Sequence, residues 1–342
     1  MNSSTQAPCR RHRSPRLAGR KKDRDARTPL GMLHQWWPSM STASCVRETW
    51  DLKGDDAWRT LASTGRIKLM RDAFVRLRAA DGFSHSRSLA FATSLVFVQG
   101  LIALVGLAVE LGQAGFNRTV LGAIENAIPG PAGGLLIRVF AQAQQVGLEH
   151  RFLPLLVGLA GTLVTATTAT GQLMRGINRL YGVENDGPFI HKYARALLLA
   201  VVVLAALIGA GMMLTVGRGL SGDVGGHTTH LAWHVIRWPV ALGLAAAAFG
   251  GILRWAPRRR QPHWSWLAFG GVIGVAGWTI VTVLFGVAFR VSSSFGDVYG
   301  SLAGVVALQI WTFLSSVAIF FGAAIAAQLE AVRSGTQAPP PA

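Results

Sequence analysis

The stretch of sequence from residue 89 to residue 111 reads LAFATSLVFVQGLIALVGLAVEL. It is 23 residues long, and its one charged residue, Glu110, lies next to its end. A helix needs about 20 consecutive, mostly apolar residues to cross the hydrocarbon core of a bilayer. The stretch therefore predicts a transmembrane helix and indicates that lipid is the solvent for the fold.

Five further stretches have, or nearly have, this length and composition: residues 152–174, 194–216, 238–255, 266–289 and 302–327. The stretch 238–255 is the weakest, because it is short, follows Arg237 and carries Pro239. The first turn of a helix tolerates proline, since it has no internal partner for that N–H. The sequence thus predicts an all-α, polytopic membrane helix bundle of about six transmembrane helices within residues 88–330.

The distribution of positive charge predicts the orientation of this bundle. A net charge of +17 would suggest a nucleic-acid partner in a soluble protein. Here, however, 27 of the 33 Lys and Arg residues fall in the N-terminal tail, the second and fourth loops and the C-terminal end, and six lie on the other side. Basic loops remain in the cytoplasm. We therefore expect a bacterial plasma-membrane protein with both termini cytoplasmic and no nucleic-acid partner.

The two ends of the chain differ from the membrane domain. Residues 1–65 are basic and polar, which predicts a disordered cytoplasmic tail, and residues 331–342 predict a flexible one. In residues 66–87, apolar side chains recur at helical spacing among cations, namely Ile67, Met70, Phe74 and Leu77. This pattern predicts an amphipathic interfacial helix on anionic membrane lipids. A solvated helix packed on the protein's own loops is the alternative.

The longest outer loop, residues 112–151, has an apolar stripe at helical spacing, formed by Leu135, Leu136, Val139, Phe140, Ala143 and Val146. Two interpretations remain open: an amphipathic helix on the outer surface, or a lid packed on the bundle. Pairs of small residues, Gly270 with Gly274 and Gly300 with Gly304, predict faces where helix backbones approach closely.

Neutral polar residues are the main chemical groups inside the predicted spans. Those that would suit a polar pathway are Gln99, Thr165, Thr168, Gln172 and Gln309. Threonine hydroxyls commonly bond carbonyls of their own helix, which is the interpretation that we favour for the threonines.

The set of residues closest to a metal site is His227, His230 and His234. If this outer segment is helical, the spacing places three imidazoles on one face, and three imidazoles can bind zinc. Only Asp223 lies nearby as a further ligand or base, so we favour ordinary solvated histidines. The sequence therefore predicts no metal site, no cofactor and no catalytic residue.

Several short segments resemble those of a known family. The second predicted span runs into Asn178, Tyr181, Gly182, Val183 and Glu184; Pro257 follows the fourth span; and the last span is preceded by Tyr299, Gly300, Ser301 and Leu302. This pattern resembles the YihY/BrkB family of bacterial inner-membrane proteins over roughly residues 84–330. The resemblance makes Asn178, Tyr181, Glu184, Pro257, Tyr299 and Gly300 family-signature positions.

The resemblance implies six spans and a role in envelope integrity, with movement of lipid or lipid-linked material as a proposed activity. Ala324 stands where the family's last span usually has a glutamate, which argues against a mechanism that needs a carboxylate there. An older ribonuclease label is not expected to apply, because clustered His and Asp ligands are missing from the sequence. The leading hypothesis is lipid or amphiphile translocation; the alternative is a membrane scaffold that recruits a partner through its basic tail. The oligomeric state is not predicted.

Overall fold

The computed structural model describes residues 45–111, 120–122, 124–125, 128–149, 152–220, 227–291, 299 and 302–335. Regular structure in these ranges is helical, and they contain no strand. The main helices are α1 (Gly54–Thr64), α2 (Arg66–Ala79), α3 (Gly82–Leu111), α4 (Gly130–Glu149), α5 (Leu153–Leu180), α6 (Phe189–Leu220), α7 (His227–Trp255), α8 (Trp264–Val291) and α9 (Ala303–Arg333). The predicted all-α class is confirmed.

Among the described residues, five helices are long and apolar enough to cross a membrane. Their apolar portions are Gly82–Leu107, Leu153–Leu180, Phe189–Gly209, Trp264–Phe289 and Ala303–Arg333. Many large apolar side chains on these helices face outward, including Leu156, Val164, Leu198, Ile280 and Leu284. Such a surface suits lipid rather than water. The prediction of a polytopic membrane bundle is therefore confirmed.

Helix α7 corresponds to the weakest predicted span, 238–255. Its apolar part, Pro239–Trp255, is shorter than the other five. The whole helix has 29 residues, which corresponds to about 44 Å, longer than a hydrocarbon core of about 30 Å. It begins with His227, so Pro239 lies inside the helix and the expectation that this proline occupies the first turn is wrong. Because the helix also includes Arg237, it is long enough to cross a membrane but only its later part is apolar enough.

The predicted interfacial segment, 66–87, differs from the structure. Helix α2 ends at Ala79, and α3 begins at Gly82, so residues 82–87 belong to the first membrane helix. Asp81 lies at the junction with a φ of 51°, in the left-handed region that Asp tolerates better than most residues. This turn breaks the helical pattern that appears continuous in the sequence.

Helix α2 packs on the membrane bundle through one of its faces. Leu69, Ala73 and Leu77 are buried against the bundle, and α2 packs on α9. Ile67 and Phe74 point outward, with Ile67 85% exposed. One face therefore packs on the protein, and the adjacent face presents apolar side chains among cations.

The predicted disordered tail, 1–65, differs from the structure in its last part. Residues 54–64 form α1, in which Ala57 and Thr60 are buried. The segment 45–53, which we call the N-terminal strap, runs along the bundle, and its Val46 N–H donates to the Tyr181 carbonyl at 3.1 Å. The bundle supplies the burial that the segment's own composition lacks. Residues 1–44 lie outside the described part of the chain.

Helix α4, in the long outer loop, packs on the bundle. Ala132, Leu136, Phe140 and Ala143 are buried in an apolar cluster with residues of α3, α8 and α9. Val146, which the sequence pattern assigned to the same stripe, is 42% exposed. Of the two interpretations of this loop, the packed lid describes α4.

Helices α8 and α9 approach each other closely at glycines. A methyl group on Gly322 would lie 2.7 Å from the Gly274 Cα atom and 2.9 Å from the Gly270 carbonyl oxygen. The predicted pair Gly270 and Gly274 therefore faces a third glycine on α9. Gly304 instead adjoins α4, whereas Gly300 lies outside the described residues.

We expect Gly322→Ala to lower the free energy of unfolding by about 1–3 kcal/mol, because the new methyl group overlaps backbone atoms that cannot rotate away. Thermal unfolding in one detergent measures the effect. Gly243→Ala is the matched control, since a methyl group there meets no atom within 4 Å. Equal melting temperatures for the two variants would contradict the close approach.

Candidate functional site

The end of the bundle where α5, α7 and α9 finish and α6 and α8 begin carries most of the structured cations. We call it the basic end, and the distribution of Lys and Arg assigns it to the cytoplasm. Three segments meet there: the connection from α5 to α6, the loop 256–263 between α7 and α8, and the last turns of α9. Their side chains form two polar clusters.

Asn178 joins two of these segments. Its Nδ2 donates to Asp186 Oδ1 at 3.0 Å, and its Oδ1 accepts a hydrogen bond from the Arg258 backbone N–H at 2.9 Å. The side chain is almost fully buried. Asn178 thereby ties the last turn of α5 to the α5–α6 connection and to the loop 256–263.

Asp186 is the centre of the first cluster. Its Oδ2 lies 3.3 Å from Arg175 Nε and 3.1 Å from Lys192 Nζ, and its Oδ1 lies 3.7 Å from Arg179 Nη1. Burial alone would raise the pKa of this carboxyl. Hydrogen bonds from Asn178 and Lys192 and the charges of Lys192 and Arg179 outweigh that effect, so the pKa lies below its ordinary value.

A cavity of about 400 Å³ opens beside this cluster, and we call it the Asp186 cavity. Its lining includes three cations and one carboxylate; the residues are Met174, Asn178, Asp186, Gly187, Pro188, His191, Lys192, Arg195 and Arg258. It lies at the start of α6, where unpaired backbone N–H groups add positive potential. Phe189 and Ile190, in the first turn of α6, are 72% and 78% exposed. The cavity therefore combines excess positive charge with adjacent apolar surface.

Glu330, near the end of α9, is the centre of the second cluster. Arg259 donates to it twice, from Nη2 to Oε1 at 2.6 Å and from Nη1 to Oε2 at 3.2 Å. Thr49 of the N-terminal strap adds a hydroxyl hydrogen bond of 2.7 Å. The Arg259 guanidinium also lies 4.6 Å from the centre of the Tyr181 ring. The Glu330 carboxylate is completely buried, and this bidentate pair balances its charge.

Arg76 extends the second cluster to helix α2. Its Nε donates to Gln328 Oε1 at 2.8 Å, and its Nη1 donates to the Leu180 carbonyl at 3.1 Å. Burial lowers the pKa of Arg76 to about 10, against the opposing effect of Tyr181 and Glu330. For the Tyr181 hydroxyl, whose charged form is the deprotonated one, burial raises the pKa. The basic end is thus fastened internally by buried polar groups.

A family model described as virulence factor BrkB matches residues 73–342, well over half of the chain. The chain belongs to the virulence factor BrkB family. The match begins within α2 and includes every membrane helix of the structure.

Similar proteins occur in several bacteria. The ribonuclease-like protein YfkH of Bacillus subtilis is 27% identical over 270 residues, which cover 77% of this chain and 96% of YfkH. UPF0761 membrane proteins of Methylibium petroleiphilum and Albidiferax ferrireducens are 24% and 25% identical over 86% and 82% of this chain, which spans 63% and 64% of their lengths. No solved structure matches significantly. These relatives agree with a multi-pass bacterial membrane protein.

The BrkB-type signature positions divide between the two ends of the bundle. Asn178, Tyr181 and Pro257 are buried at the basic end. Glu184 is exposed there, and its carbonyl accepts a hydrogen bond from Arg179 Nη1 at 2.8 Å. Tyr299, 45% exposed, lies near the start of α9 and therefore at the opposite end.

The residues predicted to form a polar pathway lie on three helices, α3, α5 and α9. Gln99 of α3 adjoins Gly161 of α5, whereas Gln309 of α9 accepts a hydrogen bond from Ser94 at 3.2 Å. Thr165 and Thr168 donate to carbonyls of their own helix, at 2.7 and 2.9 Å, and Thr168 is exposed on the outside. Gln172, farther along α5, is half-buried.

The three histidines considered as metal ligands lie in the first turns of α7, but their side chains are outside the described part of the structure. Within the described ranges, no group of three or more His, Cys, Asp or Glu residues is placed to hold a metal ion. The carboxylates that organise the basic end, Asp186 and Glu330, were missed in the sequence. The one available signal for Asp186 was its Asn-Asp-Gly-Pro turn eight residues after Asn178.

We expect acid to destabilise the protein partly through Asp186. Because its pKa is lower in the folded chain, its contribution is fully present above the unfolded value of about 3.9 and is lost as pH falls through the folded value. Thermal unfolding between pH 7 and pH 3 should therefore decline less steeply for Asp186→Asn, which should be less stable at pH 7 by about 1–3 kcal/mol. Parallel curves for both proteins would contradict this assignment.

We expect Glu330→Leu to cost about 3–5 kcal/mol of unfolding free energy, because it leaves the Arg259 guanidinium buried without its counter-charge. The double variant Arg259→Leu, Glu330→Leu should be more stable than the single one. Arg333→Ala is the matched control: it breaks the exposed pair with Asp56, at 3.3 Å, and should cost less than about 1 kcal/mol. A double variant as unstable as the sum of its single variants would argue against the pair.

Proposed function

We propose that this BrkB-family membrane protein supports the integrity of the bacterial envelope by binding an anionic lipid or amphiphile at its basic end and moving it between leaflets. The observation that carries the proposal is the Asp186 cavity. Lys192, Arg195 and Arg258 line it, and Asp186 is the one carboxylate in its lining. Cations in this arrangement suit a phosphate or carboxylate headgroup.

The surroundings of the cavity suit the apolar part of such a ligand. Phe189 and Ile190 are exposed in the first turn of α6, and Leu198 is exposed about two turns farther into the membrane. A headgroup bound by the cations would thus have an apolar helix surface beside it for its chains. A soluble anion would gain nothing from that surface.

Helix α2 supports the proposal from the cytoplasmic side. Ile67, Met70 and Phe74 are exposed on it, and Arg66, Lys68, Arg71 and Arg78 are exposed around them. Apolar side chains among cations are typical of helices that lie in an anionic membrane surface. Each cation near such a surface contributes about 1 kcal/mol of attraction. Helix α2 would therefore concentrate anionic lipid at the basic end.

The test is movement of a fluorescent phosphatidylglycerol between leaflets of proteoliposomes, measured by chemical quenching from outside. We expect the full chain to accelerate it and the double variant Arg195→Gln, Arg258→Gln to slow it at least about tenfold, because two lost charge-assisted contacts exceed one factor of ten. Arg87→Gln, which removes an exposed cation of α3 outside the cavity lining, is the control. No acceleration by the full chain over empty vesicles would refute translocation.

A second test of the proposed function uses cells. Depletion of the protein should raise sensitivity to detergent, and the double variant should fail to restore resistance. The scaffold hypothesis predicts instead that loss of the basic tail abolishes function. Because the N-terminal strap packs on the bundle, the truncation that separates the hypotheses ends at residue 44 rather than 65. Full function without residues 1–44 supports the site at the basic end.

The relative YfkH is named a ribonuclease-like protein, whereas our proposal assigns no catalytic residue to this chain. Degradation of RNA by the purified protein, lost on changing His227 or His230, would replace the proposal with an enzymatic one.

A further inference from the structure

A second cavity, of about 490 Å³, lies at the basic end and shares no lining residue with the Asp186 cavity. Its lining consists of Trp50, Arg254, Trp255, Arg259, Arg260 and Gln261. The loop after α7 supplies three of these residues, the end of α7 supplies two, and the N-terminal strap supplies Trp50. We call it the Gln261 cavity.

Two of its three guanidinium groups keep their charge uncompensated. Arg259 is balanced by Glu330. Arg254 donates to the backbone carbonyls of Gln261 and Pro262, and Arg260 lies 5.8 Å from the centre of the Trp50 ring. Across the described residues, no carboxylate lies within 4 Å of either of these two side chains. Because Glu330 balances only Arg259, the lining of the cavity carries about two uncompensated positive charges.

Buried polar atoms in the same lining have no partner within the described chain. Gln261 is 5% exposed, and neither its amide oxygen nor its amide nitrogen is hydrogen-bonded there. The Nε of Arg259 is in the same situation. An unsatisfied buried polar group costs about 1–3 kcal/mol, so native proteins seldom retain one without a use. These atoms supply two kinds of donor and one acceptor beside the uncompensated cations.

Tryptophan side chains beside the cavity indicate a position at headgroup level. Trp255 ends α7 and is 51% exposed, and its ring packs edge-on against Trp264 at 5.3 Å. Tryptophans favour the membrane–water interface. The strap is fixed to the same loop, because His263 N–H donates to the Leu52 carbonyl at 3.2 Å. Immediately after the strap, Gly54 N–H of α1 donates to Ser265 Oγ of α8 at 2.9 Å. Trp50 is thereby held beside Arg260.

We propose that the Gln261 cavity binds a phosphate group, with Arg254 and Arg260 as the charged partners and Gln261 as a neutral one. Oxygens of a phosphate monoester or diester accept from both guanidinium groups and from the Gln261 amide, whose own oxygen is left to accept from a hydroxyl of the ligand. The strap brings Trp50 to the edge of the site. The inference goes beyond lipid movement through the Asp186 cavity and holds with or without it.

The source of the phosphate is a lipid headgroup or a soluble phosphate ester. Calorimetric titration of the purified full chain with dihexanoyl phosphatidylglycerol, glycerol phosphate and inorganic phosphate separates them. Dihexanoylglycerol, which has the same chains without phosphate, is the reference. The titrations are made in the Lys192→Gln, Arg258→Gln background, which removes two cations of the Asp186 cavity and keeps Arg195, whose Nη2 donates to the Trp255 carbonyl beside the Gln261 cavity. Binding of the lipid but not of glycerol phosphate assigns a headgroup; equal binding of both assigns a soluble ester.

We expect Arg260→Gln and Gln261→Leu each to weaken phosphate binding about tenfold. Gln261→Leu has a second readout: replacing an unsatisfied buried amide by an apolar group of similar shape should leave the melting temperature unchanged or raise it. Loss of binding together with retained stability excludes a merely structural effect. Arg87→Gln, on an exposed face of α3, is the control cation.

Three results would overturn the inference: no saturable binding of any phosphate probe, equal binding of dihexanoylglycerol, or undiminished binding by the Arg260→Gln and Gln261→Leu variants. Because the background lacks two cations of the Asp186 cavity, lipid movement can fail while this binding persists. Conversely, phosphate binding can fail while lipid movement persists, so the two proposals are tested independently.

Discussion

The buried pair of Arg259 and Glu330 is the interaction on which the basic end depends. Two ions removed from water are tolerated only when they neutralise each other and their remaining hydrogen-bonding capacity is met. Thr49, the Arg47 carbonyl and the Tyr181 ring meet much of it. The pair therefore fixes four chain segments at one point: the N-terminal strap, the end of α5, the loop after α7 and the end of α9.

This constraint explains why both cavities occur where they do. Arg258 and Arg259 are adjacent in the chain; the first is held toward Asn178 and Asn185, and the second toward Glu330. The loop 256–263 thus contacts both polar clusters. Arg258 lines the Asp186 cavity, whereas Arg259 lines the Gln261 cavity. Arg195 links them, since its Nη2 donates to the carbonyl of Trp255 at 2.7 Å.

The membrane fold was largely predictable from the sequence, because the bilayer requires apolar side chains along each spanning helix, whatever the rest of the chain does. A stretch such as 89–111 must be mostly apolar over its whole length to cross, so composition alone identifies it. Boundaries were less predictable: the left-handed turn at Asp81 leaves no trace in hydropathy, and α1 is ordered by contacts with a distant part of the chain. The glycines at 270 and 274 were recognised by spacing, but their partner Gly322 depends on how α8 and α9 meet.

The site was far less predictable, and the reason is distance along the chain. Glu330 meets Arg259 across 71 residues and Thr49 across 281, so no local pattern marks it. The family resemblance points to position 324, where this chain has a buried alanine; the structure has a buried carboxylate six residues later, at Glu330 near the end of α9. A carboxylate at mid-membrane would suggest a proton or ion relay. Near the end of α9 and paired with Arg259, Glu330 instead holds the loop that carries Arg258 and Arg260, and our proposals therefore assign it a positioning role.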